Sequence, residues 1–217
     1  MKKQIITVSI LAALAVTPVA FAAPYLGIGY TNVGLTGHSG RPGVTLFAGN
    51  LYRNNVLASG SASYAHGYYS MNASIGKRIP AGGVSFEPYI SMGFLNLDYN
   101  QQETGYTTTT SSSYGYSFTS TTPYKYTQGA AIQDFYGLVG ANLNIPIGSK
   151  VALRFGGGYG QTISTFGSSN GGQVCKGSAE IGFKIASHVS TDLQVAYLHV
   201  PGASLTNYGM GLSYHFS

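Results

Sequence analysis

The segment 206–216 reads TNYGMGLSYHF, in which Tyr208, Met210, Leu212, Tyr214 and Phe216 alternate with Asn207, Gly209, Gly211, Ser213 and His215. Successive side chains of a β-strand point to opposite faces, so this period of two makes one apolar face and one thin, polar face. The same period recurs along the chain. Leu26, Ile28 and Tyr30 alternate with Gly27, Gly29 and Thr31 in 25–33. Phe86, Ile90, Met92 and Phe94 share one face of 84–99, and Phe135, Val139, Leu143 and Ile145 one face of 133–147. Val151, Leu153, Phe155, Tyr159 and Ile163 do so in 150–164, while Ala179, Ile181, Phe183 and Ile185 oppose Lys176, Ser178, Glu180 and Lys184 in 174–186. With 43–52, 56–66, 69–79 and 190–199, bounded by turn residues, these segments predict ten strands. Segment 43–52 does not declare a face and 56–66 is small and serine-rich, so eight strands is the alternative if these two are not a separate pair.

The connections follow a rule. Tight turns at 53–55, 80–83, 148–149 and 187–189 each follow an even-numbered strand, and the long polar segment 100–131 follows an odd one. A transmembrane barrel has an even strand number, short periplasmic turns and longer external loops. The pattern therefore predicts an all-β fold, a transmembrane antiparallel up-and-down β-barrel of about ten strands, with 100–131 as a long extracellular loop. No segment after the first is apolar for the roughly 20 residues of a spanning helix.

The start of the chain reads as a secretory signal peptide over 1–22. Lys2 and Lys3 precede a short apolar run, and Ala20-Phe21-Ala22 supplies small residues at the cleavage positions, so cleavage is expected before Ala23. No cysteine follows that site to take a lipid anchor. The remainder, 23–217, is expected to be one domain, exported through the periplasm and integral to the outer membrane.

Composition agrees with a wall between lipid and a crowded lumen. Only 8% of residues are charged, against about a quarter in soluble domains. Gly (31) and Tyr (18) are abundant and Trp is absent. The formal charge of +5 is too weak to indicate nucleic acid and is compatible with anionic lipid head groups. The single cysteine, Cys175, has no internal disulfide partner and reads as a packing or lipid-facing residue.

The opening Tyr25-Leu26-Gly27-Ile28-Gly29-Tyr30, the Gly-rich hairpins and the closing Gly211-Leu212-Ser213-Tyr214-His215-Phe216 make the chain resemble the small outer-membrane barrels of Gram-negative bacteria, the OmpA/OmpX and opacity-adhesin type. The resemblance covers 23–217. It implies contact with outer-membrane lipid and lipopolysaccharide. It also implies a final strand, marked here by Tyr208, Gly211, Leu212, Tyr214 and Phe216, that the barrel-assembly machinery reads during insertion. Ser217 follows Phe216, so the aromatic is penultimate, and most members of that family have eight strands rather than ten.

By alternation, Arg78, Glu87, Arg154, Lys176, Glu180 and Lys184 point into the lumen, with Asp134 and Asp192 nearer the ends. Charges in a narrow interior must be paired, so a salt-bridge and hydrogen-bond plug is expected; the alternative is a small pore whose excess of Arg and Lys favours anions. The segment 100–131 is rich in Thr, Ser and Tyr. Thr and Tyr favour strands, which would extend the hairpin above the membrane, and Tyr with Ser and Gly suits adaptable contact surfaces. Tyr106, Tyr114, Tyr116, Tyr124 and Tyr126 are therefore the candidate patch for host or environmental surface ligands.

Catalytic signals are thin. His188-Val189-Ser190 places a histidine two residues from a serine, but in a turn with no acid to orient it. His66, His199, Asp98 and Asp134 fall toward the external rim. No nucleophile elbow, metal-ligand spacing or phosphate loop occurs. The expectation is no enzyme, no cofactor and no metal, with a structural or adhesin-like surface role through the external loops. A narrow porin-like channel is the alternative, and a rim-located lipid A-modifying enzyme or protease the third reading.

Overall fold

The computed structural model describes residues 23–36, 40–113, 116–167 and 171–216; residues 1–22, expected to be a signal peptide, lie outside them. The strands are β1 (Ala23–Leu35), β2 (Arg41–Leu51), β3 (Val56–Ala65), β4 (Tyr68–Lys77), β5 (Ile79–Ala81), β6 (Val84–Ser113), β7 (Tyr116–Ile147), β8 (Val151–Gly167), β9 (Gln173–Lys184), β10 (Val189–Val200) and β11 (Ala203–His215). Every strand pairs antiparallel with its neighbour, and β1 pairs with β11 from Tyr25↔His215 to Leu35↔Leu205, which closes the barrel.

The short β5 is not a separate stave. β4 pairs with β6 down to Gly76↔Tyr89, and β5 continues at Ile79↔Phe86 without a shift of register. The gap lies opposite Pro88, which has no N–H to give the ladder. The wall thus has ten staves. β2 and β3 are a full pair from Gly43↔Ala65 to Leu51↔Leu57, which removes the eight-strand alternative.

Segment 100–131, expected as a long loop, carries on the ladder. β6 and β7 run to 30 and 32 residues and stay in register through sixteen pairs from Asp98↔Ala131 to Ser113↔Tyr116. At about 3.4 Å per residue this two-stranded ribbon is roughly 50 Å long. The strand-forming bias of its Thr and Tyr residues accounts for the difference. One irregularity, a bulge between Phe135 and Tyr136, lies at its base.

The outer surface is an apolar belt. Leu26, Ile28, Leu46, Ile75, Ile90, Val139, Leu193 and Met210 are all exposed there. Tyr64 and Tyr197 lie toward the ribbon end of this belt, and Phe86, Tyr214 and Phe216 toward the end with the tight turns. Segment 43–52 resolves its face: Val44 and Leu46 are exposed, and Phe47 turns inward with its ring over Gly27.

Inward aromatics repeat that motif. A Cβ at Gly49 would fall on the Tyr25 ring, at Gly93 on Tyr136, and at Gly140 or Gly158 on Tyr89. Glycine on one strand admits a ring from the next, so few residues fill the lumen. Gly93→Val is therefore expected to lower barrel stability by about 1–3 kcal/mol, the range for overpacking. Gly177→Val, where a Cβ meets nothing, should be near neutral. Urea unfolding followed by heat-dependent gel mobility checks both.

Candidate functional site

The inward face changes character along the barrel. Near the ribbon end it is apolar: Val33, Leu35, Leu95, Leu97, Ile132, Leu138, Val174, Val200 and Leu205 form one buried cluster with Tyr68 and Tyr136. Leu95 and Leu97 are 0% and 1% exposed. Most strands contribute inward residues near their ribbon-side ends, so the layer fills the lumen there. The sequence carried a signal for it. Met92 and Phe94 keep the outward parity, then Leu95 and Leu97 place apolar side chains on the inward one. Asp134, expected near an end of the lumen, is buried on the inward face of β7 between Ile132 and Tyr136.

Below this layer lies a polar chamber of about 440 Å³. One wall, from β2 to β4, is lined with hydroxyls. Thr45 Oγ1 and Ser63 Oγ lie 2.8 Å apart, Ser59 Oγ and Ser74 Oγ 2.7 Å, and the Tyr68 hydroxyl donates to Ser70 Oγ at 2.9 Å. The facing wall, from β8 to β10, carries Arg154, Lys176, Glu180, Asp192 and Gln194. Thr31 Oγ1 donates to Asn207 Oδ1 beside it.

Glu87 ties the chamber together. It is 1% exposed, and its carboxylate accepts from Arg78 Nε at 2.6 Å and from Arg154 Nη2 at 3.0 Å. Arg78 and Glu87 meet across the β4–β5 break, and Arg154 reaches in from β8. Of the six residues expected in the lumen, Arg78, Glu87, Arg154, Lys176 and Glu180 line the chamber. Lys184 shares the strand face of Lys176 and Glu180 but is exposed at the turn end, outside the chamber. Asp192, expected nearer an end, lines it. Basic and acidic lining groups are therefore equal in number, three of each, and the expected excess of cations is absent. It lies instead at the turn end, where Arg53, Lys77, Lys150 and Lys184 are exposed.

The chamber's turn-side end holds a histidine that the sequence pattern did not single out for chemistry. His215 Nε2 and Ser190 Oγ are 2.8 Å apart, and Ser190 Oγ is 2.7 Å from Ser213 Oγ. The His188–Ser190 pairing suggested by spacing is not made: the His188 Nδ1–H donates to the His215 carbonyl at 3.1 Å. Among the described residues no carboxylate bonds to either imidazole, and a nucleophilic triad needs that third group.

At the ribbon-side rim, Arg41 Nη1 donates to the carbonyls of His66 and Asp98 at 3.0 and 2.8 Å. His199 Nδ1 instead meets Ser204 Oγ at 2.9 Å, and Asp134 is buried in the lumen. These four residues do not converge on one site. Among the described residues there is no metal-binding cluster.

Of the five ribbon tyrosines, Tyr106 is 68% exposed. In the ladder Tyr106 faces Pro123, Tyr124 faces Gly105, Tyr126 faces Glu103 and Tyr116 faces Ser113. Tyr116, Tyr124 and Tyr126 thus occupy ladder positions of one parity and Tyr106 the other. Tyr114 lies outside the described residues, as do the side chains of Tyr116, Tyr124 and Tyr126. In the last strand Tyr208, Leu212, Tyr214 and Phe216 are exposed, Tyr214 and Phe216 meet edge to face at 5.1 Å, and Gly211 leaves room for Asp192.

No protein-family profile and no curated protein matches the chain. Solved structures similar to it include the KdgM porin, at 12% identity and a TM-score of 0.43, over 88% of this chain and 99% of that one. The attachment invasion locus protein Ail of Yersinia pestis matches at 13% and 0.36, over 89% and 97%. The outer membrane protease OmpT of Escherichia coli matches at 10% and 0.47, over 91% and 99%.

Glu87→Gln leaves both arginines facing a neutral partner. It is expected to destabilise the barrel by about 2–4 kcal/mol, toward the lower part of the range for breaking a buried ion pair because both arginines are a third exposed. Arg78→Met, which leaves Glu87 its second arginine, should cost less. The difference in urea midpoint between the two variants is the measurement.

Proposed function

We propose that the protein is an integral outer-membrane β-barrel that works at the cell surface through the β6–β7 ribbon, making contact with lipopolysaccharide or with surfaces outside the cell. The apolar belt with aromatic residues toward both ends supports membrane insertion. In this orientation the tight turns and both strand termini face the periplasm, and the exposed Arg53, Lys77, Lys150 and Lys184 meet anionic lipid head groups.

One observation carries the surface reading. Sixteen ladder pairs continue past the barrel at the same end where the lumen is filled by apolar side chains. A strand needs only about 9–11 residues to cross a bilayer, so the ribbon is surplus to spanning. A bare two-stranded hairpin is marginal in water, and a surface packed along it supplies what it lacks. The apolar layer weighs against conduction, because hydrophobic constrictions block pores by dewetting. The second reading, a narrow diffusion channel, draws on the polar chamber alone. No catalytic role is assigned. The last strand serves as the assembly signal, and Phe216→Ala is expected to lower the amount of folded barrel in the outer membrane.

Replacing 101–128 by a two-residue turn is expected to leave the barrel folded by heat-dependent gel mobility and to abolish binding to lipopolysaccharide, matrix and cell surfaces. Unchanged binding would overturn the surface reading. In planar bilayers the intact protein is expected to be silent, and Leu95→Ser with Leu205→Ser to introduce conductance steps. Steps in the unmodified protein, with a selectivity that Arg154→Glu shifts, would establish the channel instead.

A further inference from the structure

We infer that the lumen chamber is a binding site for a small zwitterionic solute of short-peptide size, its carboxylate held by Lys176 and its ammonium by Glu180 and Asp192. The starting observation is an asymmetry among the six charges. Glu87 is bonded to two arginines. Among the described residues, Lys176, Glu180 and Asp192 form no salt bridge and no side-chain hydrogen bond, yet all three line the cavity with their charged atoms open to it. Charges in a confined interior carry a desolvation penalty that only a partner offsets. Arg154 faces Glu180 across the β8–β9 ladder but gives its guanidinium to Glu87, so none of these three groups has a bonded partner of its own.

The signs select the ligand. A simple anion would answer Lys176 and leave two carboxylates facing it. A simple cation would do the reverse. A solute bearing both charges answers both and leaves the chamber's balance of three against three unchanged. Position sets its length. Lys176 and Glu180 lie four residues apart on the same face of β9, about 14 Å along the strand at roughly 3.4 Å per residue. Side chains stand roughly perpendicular to a sheet, so the two charged ends are separated by a similar distance, which a peptide of two or three residues at about 3.5 Å each spans together with a hydrogen bond at either end. The opposing wall offers neutral groups, Ser61 and Asn72 among them, suited to amide N–H and C=O. The volume of about 440 Å³ lies within the 300–1,000 Å³ of small-molecule sites.

Access follows from the same layering. The apolar cluster closes the ribbon end, while Ser190, Ser213 and His215 line the other. The solute enters from the turn side, which is the periplasm in the orientation proposed above; binding itself does not depend on that orientation.

The test is calorimetric titration of the refolded barrel in detergent micelles with trialanine, N-acetyl-trialanine and trialanine amide. Trialanine is expected to saturate one site, and blocking either terminus to weaken binding about tenfold or more, ~1.4 kcal/mol. Lys176→Met should weaken trialanine by a similar factor and leave the amide unaffected. Glu180→Gln with Asp192→Asn should weaken trialanine and leave the acetylated peptide unaffected. Gel mobility confirms folding of each variant, and the three peptides on the unmodified protein decide the matter if a variant does not fold. Absence of saturable binding, or equal affinity for all three peptides, overturns the inference while leaving the surface reading untouched.

Discussion

The β1–β11 pairing is the constraint on which the rest depends. A bilayer core offers no water to an unpaired backbone N–H or C=O, so a sheet survives there only if its two edges meet. The register from Tyr25↔His215 to Leu35↔Leu205 performs that closure, and the Phe216 N–H adds a last bond to the Pro24 carbonyl at 2.9 Å. Closure then dictates side-chain direction. Every second residue must tolerate lipid and the rest must share a lumen. Pro88 shows how little slack exists: it removes one donor and interrupts β4 from β5, yet the register on either side is unchanged. Arg78 and Glu87 meet beside that gap, so the weakest part of the ladder is braced by an ion pair.

Filling the lumen is the second consequence. Ten strands enclose more space than short polar side chains can occupy, and the chain solves this differently at each level. Aromatic rings lie over glycines on neighbouring strands, as Phe47 does over Gly27 and Tyr136 over Gly93. The Glu87 fork spans from β6 to β8 and to the β4–β5 break. Toward the ribbon, apolar residues pack as in a soluble core. Only the region between these devices remains hollow. The chamber is thus bounded on one side by hydroxyls bonded to one another and on the other by charges of which Arg154 alone is bonded, to Glu87.

Much of this was legible from alternation. The ten strands, the turns and the outward faces of 25–33, 84–99 and 206–216 follow from a period of two that lipid and lumen both enforce. Arg78, Glu87, Arg154, Lys176 and Glu180 followed as lumen residues for the same reason. What alternation could not convey is height along the barrel axis. Lys184 has the parity of Lys176 but emerges at the exposed end, and Asp192, three residues from the start of β10 at Val189, lies deep enough to line the chamber. The ambiguous face of 43–52 was settled by tertiary fit, because Phe47 needed the space above Gly27. Sequence proximity suggested His188 for Ser190; strand pairing brought His215 instead. The apolar layer went unread because its members, Val33, Leu95, Leu97 and Leu205, each look like a local lapse of pattern and make sense only when the strands are laid side by side.

The ribbon poses a different physical problem from the barrel it grows out of. Inside the membrane each strand has two neighbours; beyond Asp98↔Ala131, β6 and β7 have only each other. Each outer edge presents unpaired backbone groups, the usual template for further strand addition. Soluble proteins protect such edges with charge, and this segment carries almost none, Glu103 and Lys125 being its only ionised side chains. A long, β-prone, nearly neutral ribbon is an unguarded edge. If it were only a by-product of barrel closure, a two-residue turn like Gly202 with Pro201 would have ended the hairpin, as it does between β10 and β11. Such a ribbon leaves edges and faces that a contacting surface would occupy, which is the feature the proposed surface role draws on.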